Sequence, residues 1–125
     1  VFGGSLHFDL PAQIGQEVKH RYPGYKPAFH DIVLTDEATY LSQTGVNNSV
    51  VYSNHHQGIE KLAPVLLVEA NSQDGLIESV RYADTTGKPF LLGVQWHPEK
   101  MDFSDPLSGK IAEIFIHYVK QKDRN

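Results

Sequence analysis

Along this chain apolar and polar positions alternate in short blocks, with a helical rhythm only at the end. Ser5-Leu6-His7-Phe8-Asp9-Leu10 alternates with period two, which predicts a short strand ahead of the breaker Pro11. Residues 11–27 carry loop signals, with Pro23-Gly24 marking a turn. Residues 29–34 read as a second strand, and Asp36 before Glu37-Ala38-Thr39-Tyr40-Leu41 reads as the cap of a short helix ending at Gly45. Ser49-Val50-Val51-Tyr52 is β-branched and aromatic, a strand that delivers Ser53-Asn54-His55-His56-Gln57 to its C-terminal end. Residues 58–63 suggest a helical turn before Pro64, and residues 65–70 and 76–82 flank Gln73-Asp74-Gly75 as a hairpin. The nearly unbroken apolar run Phe90-Leu91-Leu92-Gly93-Val94-Gln95-Trp96 predicts a strand buried on both faces. Leu107, Ile111, Ile114, Phe115, Tyr118 and Val119 recur at steps of three and four, so the last segment is an amphipathic helix packed on the sheet. Lys120 and Lys122 suit the negative end of its dipole.

Composition narrows the classes. With 125 residues, 40% of them hydrophobic, the chain holds enough apolar material for the core of one modest domain. A net charge of -4 and a pI near 5.9 provide no basic surface, which argues against nucleic acid and against an acidic membrane as partners. No window approaches the roughly 18 apolar residues of a membrane span, and the N-terminus has no basic stretch followed by an apolar signal core, so the chain reads as soluble and cytoplasmic. There is no cysteine, which removes disulfides, thiolate metal sites and any thiol nucleophile from these residues.

Candidate chemistry centres on His97-Pro98-Glu99. Pro98 biases His97 toward an extended backbone, in which residues i and i+2 point the same way, so imidazole and carboxylate become neighbours. A carboxylate beside an imidazole fixes its tautomer and stabilises the imidazolium, as a general base for a thiol or hydroxyl requires. The same spacing also suits a surface turn with a salt-bridged histidine. Gly3-Gly4-Ser5-Leu6-His7 approximates a serine nucleophile elbow, but His7 stands where its last glycine belongs and Ser5 starts a strand rather than ending one. His55 and His56 point oppositely in an extended segment and no metal-ligand motif accompanies them, so no metal is expected. Asp74-Gly75 reads as a turn, Tyr52 and Trp96 as core, and His7, His20, His30 and His117 as structural or solvated residues.

The string Gly93-Val94-Gln95-Trp96-His97-Pro98-Glu99-Lys100 resembles the C-terminal signature of class I glutamine amidotransferases and their γ-glutamyl hydrolase relatives. The resemblance extends, in the same order, to Gly3-Gly4-Ser5-Leu6, to Ser53-Asn54-His55-His56-Gln57 and to Asp74-Gly75-Leu76-Ile77-Glu78, most like the hydrolases acting on γ-glutamyl-γ-aminobutyrate. It implies an α/β, flavodoxin-like amidotransferase domain with a mostly parallel sheet, of which residues 1–125 form the C-terminal part. It further implies that His97 is general base and acid, that Glu99 orients it, and that Asn54, His55, His56 and Gln57 lie beside the substrate's glutamyl group. The family's nucleophile is a cysteine on an elbow whose helix ends at the Gly-Gly matched by Gly3-Gly4, about two to three helical turns before Val1. The expected partners are a small-molecule γ-glutamyl amide and the N-terminal half of the same domain; homo-oligomerisation stays open, and no cofactor is expected. Two rivals share the pattern: a non-catalytic binding or regulatory module, and one subunit of a split amidotransferase.

Overall fold

The computed structural model describes residues 2–7, 9–15, 18–21, 28–55, 57–102 and 104–123. Its elements are β1 (Ser5–His7), α1 (Leu10–Gln13), β2 (Ala28–Leu34), β3 (Asn48–Ser53), β4 (Gly58–Lys61), β5 (Leu66–Ser72), β6 (Ile77–Tyr82), β7 (Leu92–Val94) and α2 (Ser108–Asp123), with 3-10 turns at Leu41–Thr44 and Pro98–Lys100. The strands form one sheet in the order β1-β4-β6-β5-β2-β3, and β7 pairs with β6. Every ladder among the described residues is antiparallel, unlike the mostly parallel sheet that the resemblance implies. Loop length gives the reason for the hairpin: residues 73–76 are too short for the crossover of a dozen or more residues that a parallel pair needs. Gly75, at φ 83°, supplies the left-handed position of that turn.

Burial follows the alternation where the sequence is cleanest. Ala28, His30 and Ile32 of β2 are buried, while Phe29, Asp31 and Val33 face outward. The core gathers Ile32, Val51, Ala70, Leu92 and Trp96 from the sheet side against Leu107, Ile111 and Ile114 from the α2 side. Tyr40 and Leu41 close one end, where the rings of Tyr40, Phe90 and Tyr118 meet at centroid distances of 4.6 to 5.2 Å. Of the residues expected on the apolar face of α2, Phe115 and Val119 remain exposed.

Three local expectations are corrected. Residues 58–61 form β4, not a helical turn, because Ile59 finds partners on both sides, Leu6 in β1 and Ile77 in β6. The helix capped by Asp36 is replaced by the 3-10 turn Leu41–Thr44. Its cause is Glu69, fully buried on β5, whose carboxylate accepts the backbone N–H groups of Thr39, Tyr40 (3.0 Å) and Leu41 (2.8 Å) as well as Arg81 Nε (3.1 Å). Those amides are spent on a carboxylate and do not open an α-helix at Asp36. The apolar run 90–96 yields only the three-residue β7, with Leu92 buried and Gly93 and Val94 half-buried, so it is not a strand covered on both faces. No helix among the described residues is long and apolar enough to cross a membrane.

Candidate active site

His97 follows buried Trp96 just beyond β7 and caps the 3-10 turn Pro98–Lys100. Its ring and the Glu99 carboxylate meet as expected, Nδ1 to Oε1 at 2.8 Å, but the route is a tight turn rather than an extended pair. Lys100 N–H donates to His97 O at 3.1 Å and Met101 N–H to Pro98 O at 3.0 Å, which brings the second residue after His97 round beneath its ring. The turn is tied to the sheet through Tyr52: His97 N–H donates to Tyr52 O at 3.0 Å, Tyr52 N–H points at Met101 Sδ at 3.2 Å, and the Tyr52 ring stands edge-on to the imidazole. With Nδ1–H given to Glu99, a neutral His97 presents the lone pair of Nε2, the form that takes a proton. The hydrogen bond from His97 holds the Glu99 carboxyl below its usual range. Both side chains are open to solvent, at 40% and 63% exposure.

β3 carries the chain past Tyr52 into the expected substrate loop. Ser53 is buried, its hydroxyl donating to His20 O at 2.8 Å, and His55 N–H donates to the same carbonyl at 3.2 Å. Beyond this anchor, Asn54 and Gln57 line an open cleft of about 350 Å³ with Leu6, Arg21, Gly58 and Gln95. His55 also borders the cleft, but its ring is buried, Nδ1–H donating to Gln57 O at 2.8 Å. His56 lies outside the described residues. His97 does not line this cleft; Gln95, two residues earlier on the same segment, does.

A family model described as peptidase C26 matches residues 1–99. The chain belongs to the peptidase C26 family. Among its relatives, protein NtpR of Enterococcus hirae is 36% identical over 118 residues, covering 93% of this chain and 48% of NtpR. The γ-glutamyl-γ-aminobutyrate hydrolase PuuD of Escherichia coli is 37% identical over 133 residues, covering 98% of this chain and 51% of PuuD. The chain thus spans about half the length of these curated relatives. A GMP synthase protein from Thermoplasma acidophilum shares the fold, with a TM-score of 0.61 at 16% identity over 98% of this chain and 53% of that one. The mixed α/β fold, one sheet with a packed helix, is therefore shared with about half of that protein.

Within this peptidase C26 chain, one cluster went unread in the sequence. His20, His30, His55 and Glu78, all buried, converge on one point, and His55 links this point to the cleft it borders. Glu78 Oε1 lies 3.3 Å from His20 Nδ1, 3.5 Å from His30 Nε2 and 3.7 Å from His55 Nε2. Asp74, expected only to shape the turn, also holds His20 Nε2 at 2.7 Å. Burial pulls the His20 ring down, and the Glu78 and Asp74 carboxylates more than restore it, to above its ordinary value. Burial leaves His30 below its own. Glu78 is pushed up by burial but brought below the usual carboxylate range by the histidines, His20 foremost. Two signals were available: His30 shares the parity of Ala28 and Ile32, and Glu78 is a carboxylate in a run that otherwise reads as a packed strand.

Proposed function

We propose that this chain supplies the proton-transfer pair of a γ-glutamyl amide hydrolase whose thiol nucleophile lies outside residues 1–125. The observation that carries the reading is the 2.8 Å His97–Glu99 bond, fixed to the end of β3 through Tyr52 in a peptidase C26 chain. The chain itself contains no cysteine. In this reading His97 takes the proton of the thiol, and the thiolate attacks the γ-carbonyl carbon to form a tetrahedral oxyanion. His97 then returns the proton to the departing amine as the C–N bond breaks, leaving a γ-glutamyl thioester. Water, deprotonated by the same imidazole, attacks the thioester, glutamate leaves and the thiol is restored. Glu99 keeps Nδ1 protonated and stabilises the imidazolium in both halves.

The amides of Asn54 and Gln57 face the cleft and suit the α-carboxylate and α-amino groups of a glutamyl unit. The kinship to PuuD favours γ-glutamyl-γ-aminobutyrate as the substrate. The test is turnover of γ-glutamyl-p-nitroanilide and γ-glutamyl-γ-aminobutyrate by a polypeptide that joins this chain to a cysteine-bearing upstream segment, with and without iodoacetamide. The expected result is hydrolysis abolished by alkylation and by His97→Ala. Turnover that survives alkylation would overturn the thiol mechanism. Binding of the γ-glutamyl compound without turnover would instead make this a binding module.

A further inference from the structure

The buried cluster contains too many acceptors for the hydrogens available to it. His20 Nε2 meets Asp74 Oδ2 at 2.7 Å, His30 Nδ1 meets Asp31 O at 3.1 Å, and His55 Nδ1 meets Gln57 O at 2.8 Å. Carboxylate and carbonyl oxygens only accept, so each of these nitrogens carries the ring hydrogen, and a neutral ring then turns a lone pair inward from its other nitrogen. The inward atoms are His20 Nδ1, His30 Nε2 and His55 Nε2, and between them sits the Glu78 carboxylate. None of these nitrogens, nor either Glu78 oxygen, has a hydrogen-bond partner among the described residues. The side chains are 4%, 4%, 8% and 0% exposed, so water does not compensate them from outside. A buried arrangement of acceptors facing acceptors is costly. A single proton relieves one of the three histidine–glutamate contacts and leaves two lone pairs facing the carboxylate.

We propose that His20, His30, His55 and Glu78 bind one first-row divalent cation of the zinc class as a closed, structural site. The donors all lie within 4.8 Å of one another. On a tetrahedral ion with bonds of about 2.0–2.1 Å, neighbouring ligand atoms stand about 3.3–3.4 Å apart. The separations of 3.3, 3.5 and 3.7 Å around Glu78 Oε1 are already close to that edge. Each histidine has its far nitrogen held by a carboxylate or backbone carbonyl, the outer arrangement that fixes ring orientation in metal sites. Three imidazoles and one carboxylate favour zinc, cobalt, nickel or copper over the oxygen-seeking magnesium and calcium. Four protein ligands leave no open position, so the ion holds structure and does not activate water. What it holds is functional: it ties the segment at His20, β2 and β6 to the loop at His55, and so sets the cleft lined by Asn54 and Gln57. The sequence expectation of no metal judged His55 with its neighbour His56; the ligands come from four separate segments.

The test uses the full chain, stripped with a chelator and titrated with cobalt(II), whose visible absorption reports tetrahedral coordination. The expected result is one equivalent bound, displaced by zinc and not by magnesium, with a higher thermal midpoint in the metal-bound form. Glu78→Gln and His30→Gln should abolish stoichiometric uptake, and Asp74→Asn should weaken it roughly 10–100-fold. His97→Ala should leave uptake unchanged. Absence of uptake by the wild-type chain, uptake retained in a Glu78→Gln/His30→Gln double variant, or uptake lost in His97→Ala would each overturn the proposal. Because the variants could fold poorly, X-ray absorption of the zinc-loaded wild type gives an independent reading. A nearest shell at about 2.0 Å that includes three imidazoles supports the site, and a shell with two imidazoles or fewer rejects it.

Discussion

At the scale of single residues, the His97–Glu99 bond makes unequal demands on its partners. His97 would move the proton in every step, whereas Glu99 orients the ring and is itself exposed to water, which can partly stand in for it. In a serine triad that has been dissected, loss of the base costs about 10⁶ in kcat and loss of the orienting acid about 10⁴. In the cysteine-bearing polypeptide, His97→Ala should therefore lower kcat below detection, and Glu99→Ala should be milder by one to two orders of magnitude; equal losses would contradict an orienting role for Glu99. Titration offers a separate check. Since the bond to His97 depresses the Glu99 carboxyl, the bond is intact above the ordinary carboxylate value and is lost as pH falls through the lowered one. In His97→Ala the midpoint of the Glu99 carboxyl carbon, followed by NMR, should rise toward its ordinary range. An unmoved midpoint would mean that the bond does not form in solution.

At the scale of elements, Glu69 joins the 3-10 turn to the sheet by accepting Thr39, Tyr40 and Leu41 amides while pairing with Arg81. Removing it orphans three backbone donors and leaves the largely buried Arg81 guanidinium with only the carbonyls of Tyr82 and Glu37, so Glu69→Ala should destabilise the chain by about 3–5 kcal/mol in urea unfolding. A loss below about 1 kcal/mol would show that water already serves those amides. This residue also explains what could be read in advance. β2, β3, the β5–β6 hairpin and α2 followed from alternation, turn chemistry and three-four spacing because each of those signals is local. The turn at Leu41–Thr44 was misread because its partner lies 28 to 30 residues away on another strand. β4 was missed because Gly58-Ile59-Glu60-Lys61 has weak strand character of its own and is held by β1 and β6. The same holds at the candidate site: His97 and Glu99 are two residues apart and were legible, whereas His20, His30, His55 and Glu78 meet only after the sheet forms.

At the scale of the whole molecule, the surface carries apolar groups that the core does not use. Phe29, Val33 and Val50 are 61%, 49% and 49% exposed on the outer face of β2 and β3, and Ile116 and Val119 are 53% and 57% exposed on α2. Phe29 meets the Tyr52 ring, which stands edge-on to His97, so this apolar face runs along β3 up to the His97–Glu99 turn. Burying such a side chain fully is worth about 1.5–3 kcal/mol, and roughly half of that is still available at each half-exposed position. A face of this kind seeks cover. The chain spans about half the length of its relatives, and the cover proposed for it is the rest of such a domain, the part that would also bring the thiol. The 125-residue chain alone should therefore self-associate as its concentration rises in light scattering and should bind a hydrophobic dye. Adding a polypeptide that corresponds to the half of PuuD outside the match should suppress both, and Phe29→Ser with Val50→Thr should weaken self-association while leaving the buried core as it is. A monodisperse monomer at high concentration, with a cooperative thermal transition and no dye binding, would show that this face needs no cover and that the chain stands as a domain by itself.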